Sequence, residues 1–315
     1  MIIKIFLCFC LLFSIVGHAQ LIDTKSVDIY TGPVDFNAPI IKQNKIKMIA
    51  LYMVDKPDGA IIIDKQAGQG YQFDTLGRVS QYFYTVLNKT KYNQTNETRN
   101  KEDIVYINDT VFLNFFYDNN NRVITKRSQT GDYYDTYYYE YNAKNQLSKE
   151  IHCRETNVSE KSKEFKLGVQ KILSNETFEY TIPKPTQWKK RCLNDEGREY
   201  KKSIINFDDK GNKISENCSF TVSWMRQDMA YEYDALNRLR EFTYKSNESG
   251  EIKLKSVFSY DSKGKLLMEQ KFRNDVRTNE ISYLYDETTN LIKSHINRDF
   301  INASIIIVKY GYLFY

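Results

Sequence analysis

Tyr231-Glu232-Tyr233-Asp234-Ala235-Leu236-Asn237-Arg238-Leu239 decides the fold class, because the same phrase returns along the chain. It recurs as Phe258, Tyr260, Asp261, Gly264, Lys265, Leu266 and as Tyr283, Tyr285, Asp286, Thr289, Asn290, Leu291. The first half carries Tyr71, Phe73, Asp74, Gly77, Arg78, Val79, then Phe115, Tyr117, Asp118, Asn121, Arg122, Val123, then Tyr139, Tyr141, Asn142, Asn145, Gln146, Leu147. Two looser copies lie between, at Asn194 to Arg198 and at Phe207, Asp208, Gly211, Asn212 and Ile214, the last with its apolar residue one place late.

Each copy has a physical translation. Aromatic, any residue, aromatic is a strand with both rings on one face. Asp opens a turn, since its carboxylate accepts the backbone N–H two residues on. Gly or Asn three residues later suits the left-handed position of a type I turn with a bulge. A basic residue then points out, and Val or Leu points back beside the aromatics. The unit is a β-hairpin, and the turn acids recur at steps of 24 to 27 residues in the regular stretches. The interval of 44 from Asp74 to Asp118 suggests two short units with one unreadable copy. A lone hairpin is marginal in water, so units must pair edge to edge. The sequence predicts an all-β fold, an elongated antiparallel array of stacked β-hairpin repeats over 71–315.

Outside the repeats, 20–70 reads as an N-terminal capping β segment, with two strands in Ile46 to Ile63 around Asp55-Lys56-Pro57-Asp58-Gly59. Residues 151–203 read as an irregular insertion. Within it, Phe165, Leu167 and Val169 alternate as a strand, while Phe165, Val169, Ile172 and Leu173 fit one helix face; Gly168 favours the strand. Pro183 and Pro185 mark an edge or a connection. Residues 1–19 read as a signal peptide: Lys4 precedes the apolar run Ile5 to Val16, and Gly17 and Ala19 form a small-residue cleavage site. That expectation makes the protein exported, to the periplasm, cell surface or medium.

Forty-five basic and 40 acidic residues are spread along the 315, so nothing in the charge calls for nucleic acid. Beyond the leader stand Cys153, Cys192 and Cys218, which allow one bridge and a free thiol or three buried thiols. His152 adjoins Cys153, but neighbours on a strand face opposite sides and cannot pair as base and nucleophile. No Walker loop, nucleophile elbow, zinc pair or dinucleotide fingerprint is present, so no catalytic residue, metal or cofactor is expected.

The Tyr-Asp pairs Tyr117-Asp118, Tyr233-Asp234, Tyr260-Asp261 and Tyr285-Asp286 resemble the YD repeat of the rearrangement-hot-spot proteins. The resemblance covers about Tyr71 onward and suggests a short secreted bacterial member. It implies hairpin strips that curl into shells or surface scaffolds, and a partner or carrier role in a toxin or polymorphic secretion system. The residues themselves suggest a non-enzymatic protein that binds a saccharide or envelope protein through its exposed sheet face. Arg78, Arg122, Arg238 and Lys265 are the candidate binding ladder. Asp74, Gly77, Asp118, Asn121, Asp208, Gly211, Asp234, Asn237, Asp261, Gly264 and Asp286 are structural turn positions. A remote alternative is an outer-membrane β-barrel, since Ile305 to Tyr315 alternates apolar residues and closes on an aromatic; no helical span is expected after the leader.

Overall fold

The computed structural model describes residues 20–25, 35–57, 59, 63–92, 103–130, 132–160 and 164–315. The expected leader, 1–19, lies outside these. The described residues form one short helix, α1 (Ala38–Gln43), and 18 strands. In chain order these are β1 (Ile46–Pro57), β2 (Ile63–Phe73), β3 (Val79–Tyr92), β4 (Asp103–Tyr117), β5 (Val123–Thr130), β6 (Tyr133–Tyr141), β7 (Leu147–Asn157), β8 (Leu167–Lys184) and β9 (Gln187–Leu193). They continue as β10 (Glu199–Phe207), β11 (Lys213–Phe220), β12 (Arg226–Tyr233), β13 (Leu239–Ser246), β14 (Ile252–Tyr260), β15 (Leu266–Arg273), β16 (Val276–Tyr285), β17 (Ile292–Asp299) and β18 (Ser304–Phe314).

Every strand pairs antiparallel with its sequence neighbours, and β18 pairs with β1 from Ile46↔Phe314 to Pro57↔Ser304. The sheet is therefore a closed up-and-down barrel. The all-β and hairpin expectations hold, and the stacked hairpins, expected as an elongated array, close on themselves. Closure leaves no unpaired edge to cap. The 20–70 cap is corrected accordingly: β1 and β2 are staves of the wall, and β1 is the strand on which the circle shuts.

Two other expectations also change. The described residues between Asp74 and Asp118 form one long antiparallel pair, β3 and β4, from Gln81↔Asn114 to Tyr92↔Asp103, with no hidden copy among them. Residues 151–203 are no insertion, because most of β7, all of β8 and β9 and the start of β10 continue the same ladder. The segment at 167–184 is strand, as Gly168 suggested. Pro183 is the last residue but one of β8 and Pro185 sits in the β8–β9 turn, so they mark a connection.

The inner side of the wall is identified by the N-terminal segment. Leu21 is buried in a cluster drawn from β1, β2, β17 and β18, including Ile49, Tyr71, Ile292 and Val308. Four residues on, the Lys25 ammonium donates to Asn212 Oδ1 at 3.2 Å and lies 5.8 Å from the Tyr233 ring centre on β12. Along the wall, β17 to β12 is about 24 Å at 4.8 Å per strand, whereas four residues reach about 14 Å. The segment crosses the barrel as a chord, so the face carrying Tyr71, Tyr233 and Tyr260 is the lumen. Phe36 packs edge-on against Tyr71 at 4.8 Å, and α1 follows it into the same mouth, burying Ile41 completely. Each such aliphatic burial contributes about 1.5–3 kcal/mol. A second inner cluster, Tyr231, Leu239, Phe242, Tyr244, Phe258 and Leu266, lines β12–β15.

Candidate functional site

The repeated phrase builds one rim of the barrel. Asp74, Asp118, Asn142, Asp208, Asp234, Asp261 and Asp286 open the turns of alternate connections, all at the mouth that holds α1. At Asp234, Oδ1 accepts the backbone N–H of Leu236 at 3.0 Å and of Arg238 at 2.9 Å. The other acids repeat this with small changes. Gly77, Asn121, Asn145, Gly211, Asn237 and Gly264 take the left-handed conformation expected of them, with φ between 60° and 87°. In the last copy Thr289 does not: Asn290 is left-handed at φ 60°, because that turn is one residue longer. A bulge follows each turn, as between Glu232/Tyr233 and their partners Glu241 and Leu239. In the Asp208 copy the bulge exposes Ile214 outward and gives the inner slot to Lys213, correcting the late apolar position read there. The Asn194 copy has the same turn bonds but joins β9 to β10 at the opposite rim.

The basic ladder is stitched into this rim. Arg78 forms an ion pair with Asp74 at 2.6 Å, donates to Asn121 Oδ1 of the next turn at 2.7 Å, and stacks 4.4 Å from the Tyr117 ring centre. Arg122 repeats all three contacts with Asp118, Asn145 and Tyr141. Arg238 pairs with Asp234 at 2.5 Å and stacks on Tyr260, and Lys265 reaches Asn290 and Tyr285. Their charges already have protein partners. The structure brings them together as two pairs of neighbouring turns, Arg78 with Arg122 and Arg238 with Lys265, but as clamps between units.

A different set of residues, missed in the sequence, lines the lumen from β5 to β12. Glu150 on β7 sits directly across from Glu176 on β8, on the face shared by Tyr137, Tyr139 and His152. Burial, then the Glu176 charge, pushes the Glu150 carboxyl up, while Lys190, Lys126 and His152 oppose them. The Tyr200 hydroxyl donates to Glu176. Tyr137 and His152 stack with centroids 4.2 Å apart, and Asp135 lies 3.4 Å from both His152 Nε2 and Arg154 Nε. Further round, Lys213 and Glu216 pair at 3.0 Å beside Tyr231. The alternation of charge and Tyr on β6–β8 was the available signal. It was obscured because the repeat frame was lost from 151 onward, across most of β7 and all of β8.

Most of these inner polar side chains are half-buried. A round barrel of this strand number is about 35 Å across its backbone and leaves room for water. His152 and Cys153 face opposite sides, as expected: His152 points into the lumen and Cys153 is buried on the outer side beside Thr136. All three cysteines are free thiols. Among the described residues no group of three or more His, Cys, Asp or Glu is placed to hold a metal ion.

The outer side differs by sector. On β9, β12, β13 and β14 it carries Lys189, Arg191, Arg226, Asp228, Glu232, Arg240, Lys245, Lys253 and Lys255. Beneath Phe165, outside β5–β8, Glu155 is fully buried and accepts from Tyr138 at 2.6 Å and Thr136 at 2.7 Å, with Arg127 at 3.2 Å.

No family model matches the chain, and no curated protein does. Among solved structures it is similar to a porin-like protein from Bacteroides uniformis at 11% identity, over 86% of this chain and 97% of that one, with a TM-score of 0.36. A porin-like protein from Bacteroides vulgatus gives 9% identity over 85% and 98%, with a TM-score of 0.34. A TcdB2-TccC3-Cdc42 structure gives 14% identity over 71% of this chain and 12% of that one, with a TM-score of 0.30. With all three TM-scores below 0.5, the reading of this chain rests on its own geometry.

Proposed function

We propose that the chain is an exported, non-enzymatic β-barrel of the bacterial envelope, related to the YD-repeat proteins, that holds a polar guest of saccharide type inside its lumen. The observation that carries this reading is the inner wall of β6–β8, where Tyr137, Tyr139 and His152 alternate in register with Asp135, Glu150, Arg154 and Glu176. Aromatic faces beside hydrogen-bonding charges are what a sugar ring requires. The exposed sheet face and the Arg78 ladder are the weaker sites, because the ladder is already engaged by Asp and Tyr.

The test is retention of envelope polysaccharide by the chain from Gln20 onward. Glu176→Gln with Tyr137→Ser alters the inner wall, and Arg240→Gln with Lys245→Gln alters the outer one. Loss confined to the inner pair supports the reading; absence of retention, or equal loss in both, overturns it.

A second reading, the outer-membrane-spanning barrel, is favoured by an apolar outer strip on β18, β1, β3 and β4 that includes Tyr52, Phe112 and Leu313. Against it stand the outward charges of β9 and β12–β14, each of which disfavours a bilayer midplane by about 2–4 kcal/mol for Arg or Lys. Stepwise conductance in a planar bilayer would establish the spanning barrel in place of the first reading.

A further inference from the structure

The outer side of β17, β18 and β1–β4 is unlike the rest of the exterior. Register places Ile296 opposite Ile307, Ile307 opposite Val54, and Lys309 opposite Tyr52, all pointing outward. Tyr52 is 60% exposed, and its ring lies across Gly311, where an added Cβ would meet it at 3.4 Å. On the other flank Phe83 covers Gly70, with which it pairs, and its ring stands 6.1 Å from Phe112. The glycines lower the wall and the aromatics fill it, so apolar surface extends from β17 to β4, interrupted near one rim by the hydrogen-bonded Gln81–Asn114 pair.

Among the side chains described, the charges on this strip are of one sign. Lys56, Lys309 and Arg298 stand along it, and the outward positions of these strands carry no carboxylate among the side chains described. The opposite sector mixes both signs, as in Arg226, Asp228, Glu232 and Arg240. Aliphatic and aromatic side chains set among Lys56, Lys309 and Arg298 match an anionic lipid surface, where the apolar groups enter the headgroup boundary and the lysines meet phosphate.

We infer that this strip is a membrane-docking face, by which the barrel lies side-on against an anionic lipid leaflet without crossing it. The inference rests on the envelope location proposed above but not on the lumenal guest.

The experiment is co-flotation with vesicles of phosphatidylcholine alone or with phosphatidylglycerol at one part in three. The wild-type chain should float with the anionic vesicles, and about 0.5 M salt should release much of it. Lys56→Gln and Lys309→Gln should each weaken partitioning about five-fold. Tyr52→Ser with Phe112→Ser should remove it even at low salt. Should that double variant fold poorly by far-UV circular dichroism, the two lysine variants carry the test alone. Arg240→Gln with Lys245→Gln on the opposite sector should leave flotation unchanged. No flotation of the wild type, equal flotation with both vesicle types, or equal loss in the opposite-sector variant would overturn the inference. Resistance to carbonate extraction would also overturn it, in favour of a spanning barrel. Polysaccharide retention is read separately, so failure of either proposal leaves the other standing.

Discussion

The hydroxyl of Tyr315 donates to the carbonyl oxygen of Phe73 at 2.5 Å, joining residues 242 positions apart. The bond belongs to a ladder. Tyr117 donates to Val79, Tyr141 to Val123, Tyr233 to Lys213, Tyr260 to Leu239, Tyr285 to Leu266 and Tyr312 to Ile292. Each of these six ties the end of one strand to the residue that follows an earlier turn, while Tyr315 crosses the closing seam to the last residue of β2, just before the Asp74 turn. Tyr315→Phe and Tyr285→Phe should each lower unfolding free energy by about 1 kcal/mol. Urea denaturation followed by fluorescence checks this; equal stability of either variant and wild type would remove that rung from the ladder.

Acid should weaken the rim. Hydrogen bonds to Asn212 hold the Asp208 carboxyl below its ordinary range, and those to Arg122 and Thr289 do the same for Asp118 and Asp286. Their folded-state pKa lies below the unfolded value. Their stabilisation is therefore complete above the unfolded pKa and is lost as pH falls through the folded one, below about pH 4. Replacing Asp118 and Asp208 by Asn, which the turn at Asn142 already accepts, should flatten the decline between about pH 5 and 3 in thermal melts.

A histidine acts at higher pH. Burial, with the Lys271 charge adding, pushes His295 down to about 4, and its Nδ1 lies 2.9 Å from the Tyr310 hydroxyl. The unfolded chain takes up a proton near pH 6.5 that the folded one refuses until about 4, so stability falls across that window as pH drops. His295→Gln should remove this slope. A melting temperature that falls as steeply in the variant would show that other groups set it.

Gly77 and Gly211 separate two effects of one substitution. Both are left-handed, at φ 83° and 81°, but a Cβ on Gly77 would lie 2.2 Å from the Ala38 carbonyl oxygen while one on Gly211 meets nothing within 4 Å. Gly211→Ala should lose about 1 kcal/mol from backbone strain alone. Gly77→Ala should lose more and raise proteolysis within 35–45, because α1 must shift off the turn. Equal losses would mean that the helix seat gives way without penalty.

Beneath Phe165, burial opposes ionisation of Glu155, but hydrogen bonds from Tyr138, Thr136 and Gln170, with the Arg127 charge, outweigh it and hold the carboxyl low. Glu155→Ala strands Arg127 and should cost about 3 kcal/mol, whereas Glu155→Ala with Arg127→Leu should recover much of it. Chemical denaturation of the cycle measures the coupling.

The local half of this fold was readable. Aromatic alternation, the turn acid and the left-handed Gly or Asn act within nine residues, so Tyr231 to Leu239 specifies its own hairpin. Closure was not readable, because it depends on β18 meeting β1, and neither Tyr310 nor Leu51 carries a local mark of that partner. Asn194 misled for a related reason: the turn chemistry is local, but which rim it occupies depends on how many strands precede it. Arg78 and Arg122 read as an outward ladder because the sequence shows their charge and not the Tyr of the following unit beneath them. Glu176 and Tyr200 fell in 151–203, where the repeat frame was lost, so Glu150, just before it, had no visible partner by which to be recognised.

Because seven of the turn motifs share one rim and each stands for a pair of staves, the girth of this vessel comes in whole steps. Removing one unit, such as 234–260, would bring β12 against β15 in the orientation that β14 now has. The circle would shrink by two strands with the chord and the closing seam still at the same mouth. Capacity is then a matter of counting units, and volume can change without redesign of any single contact.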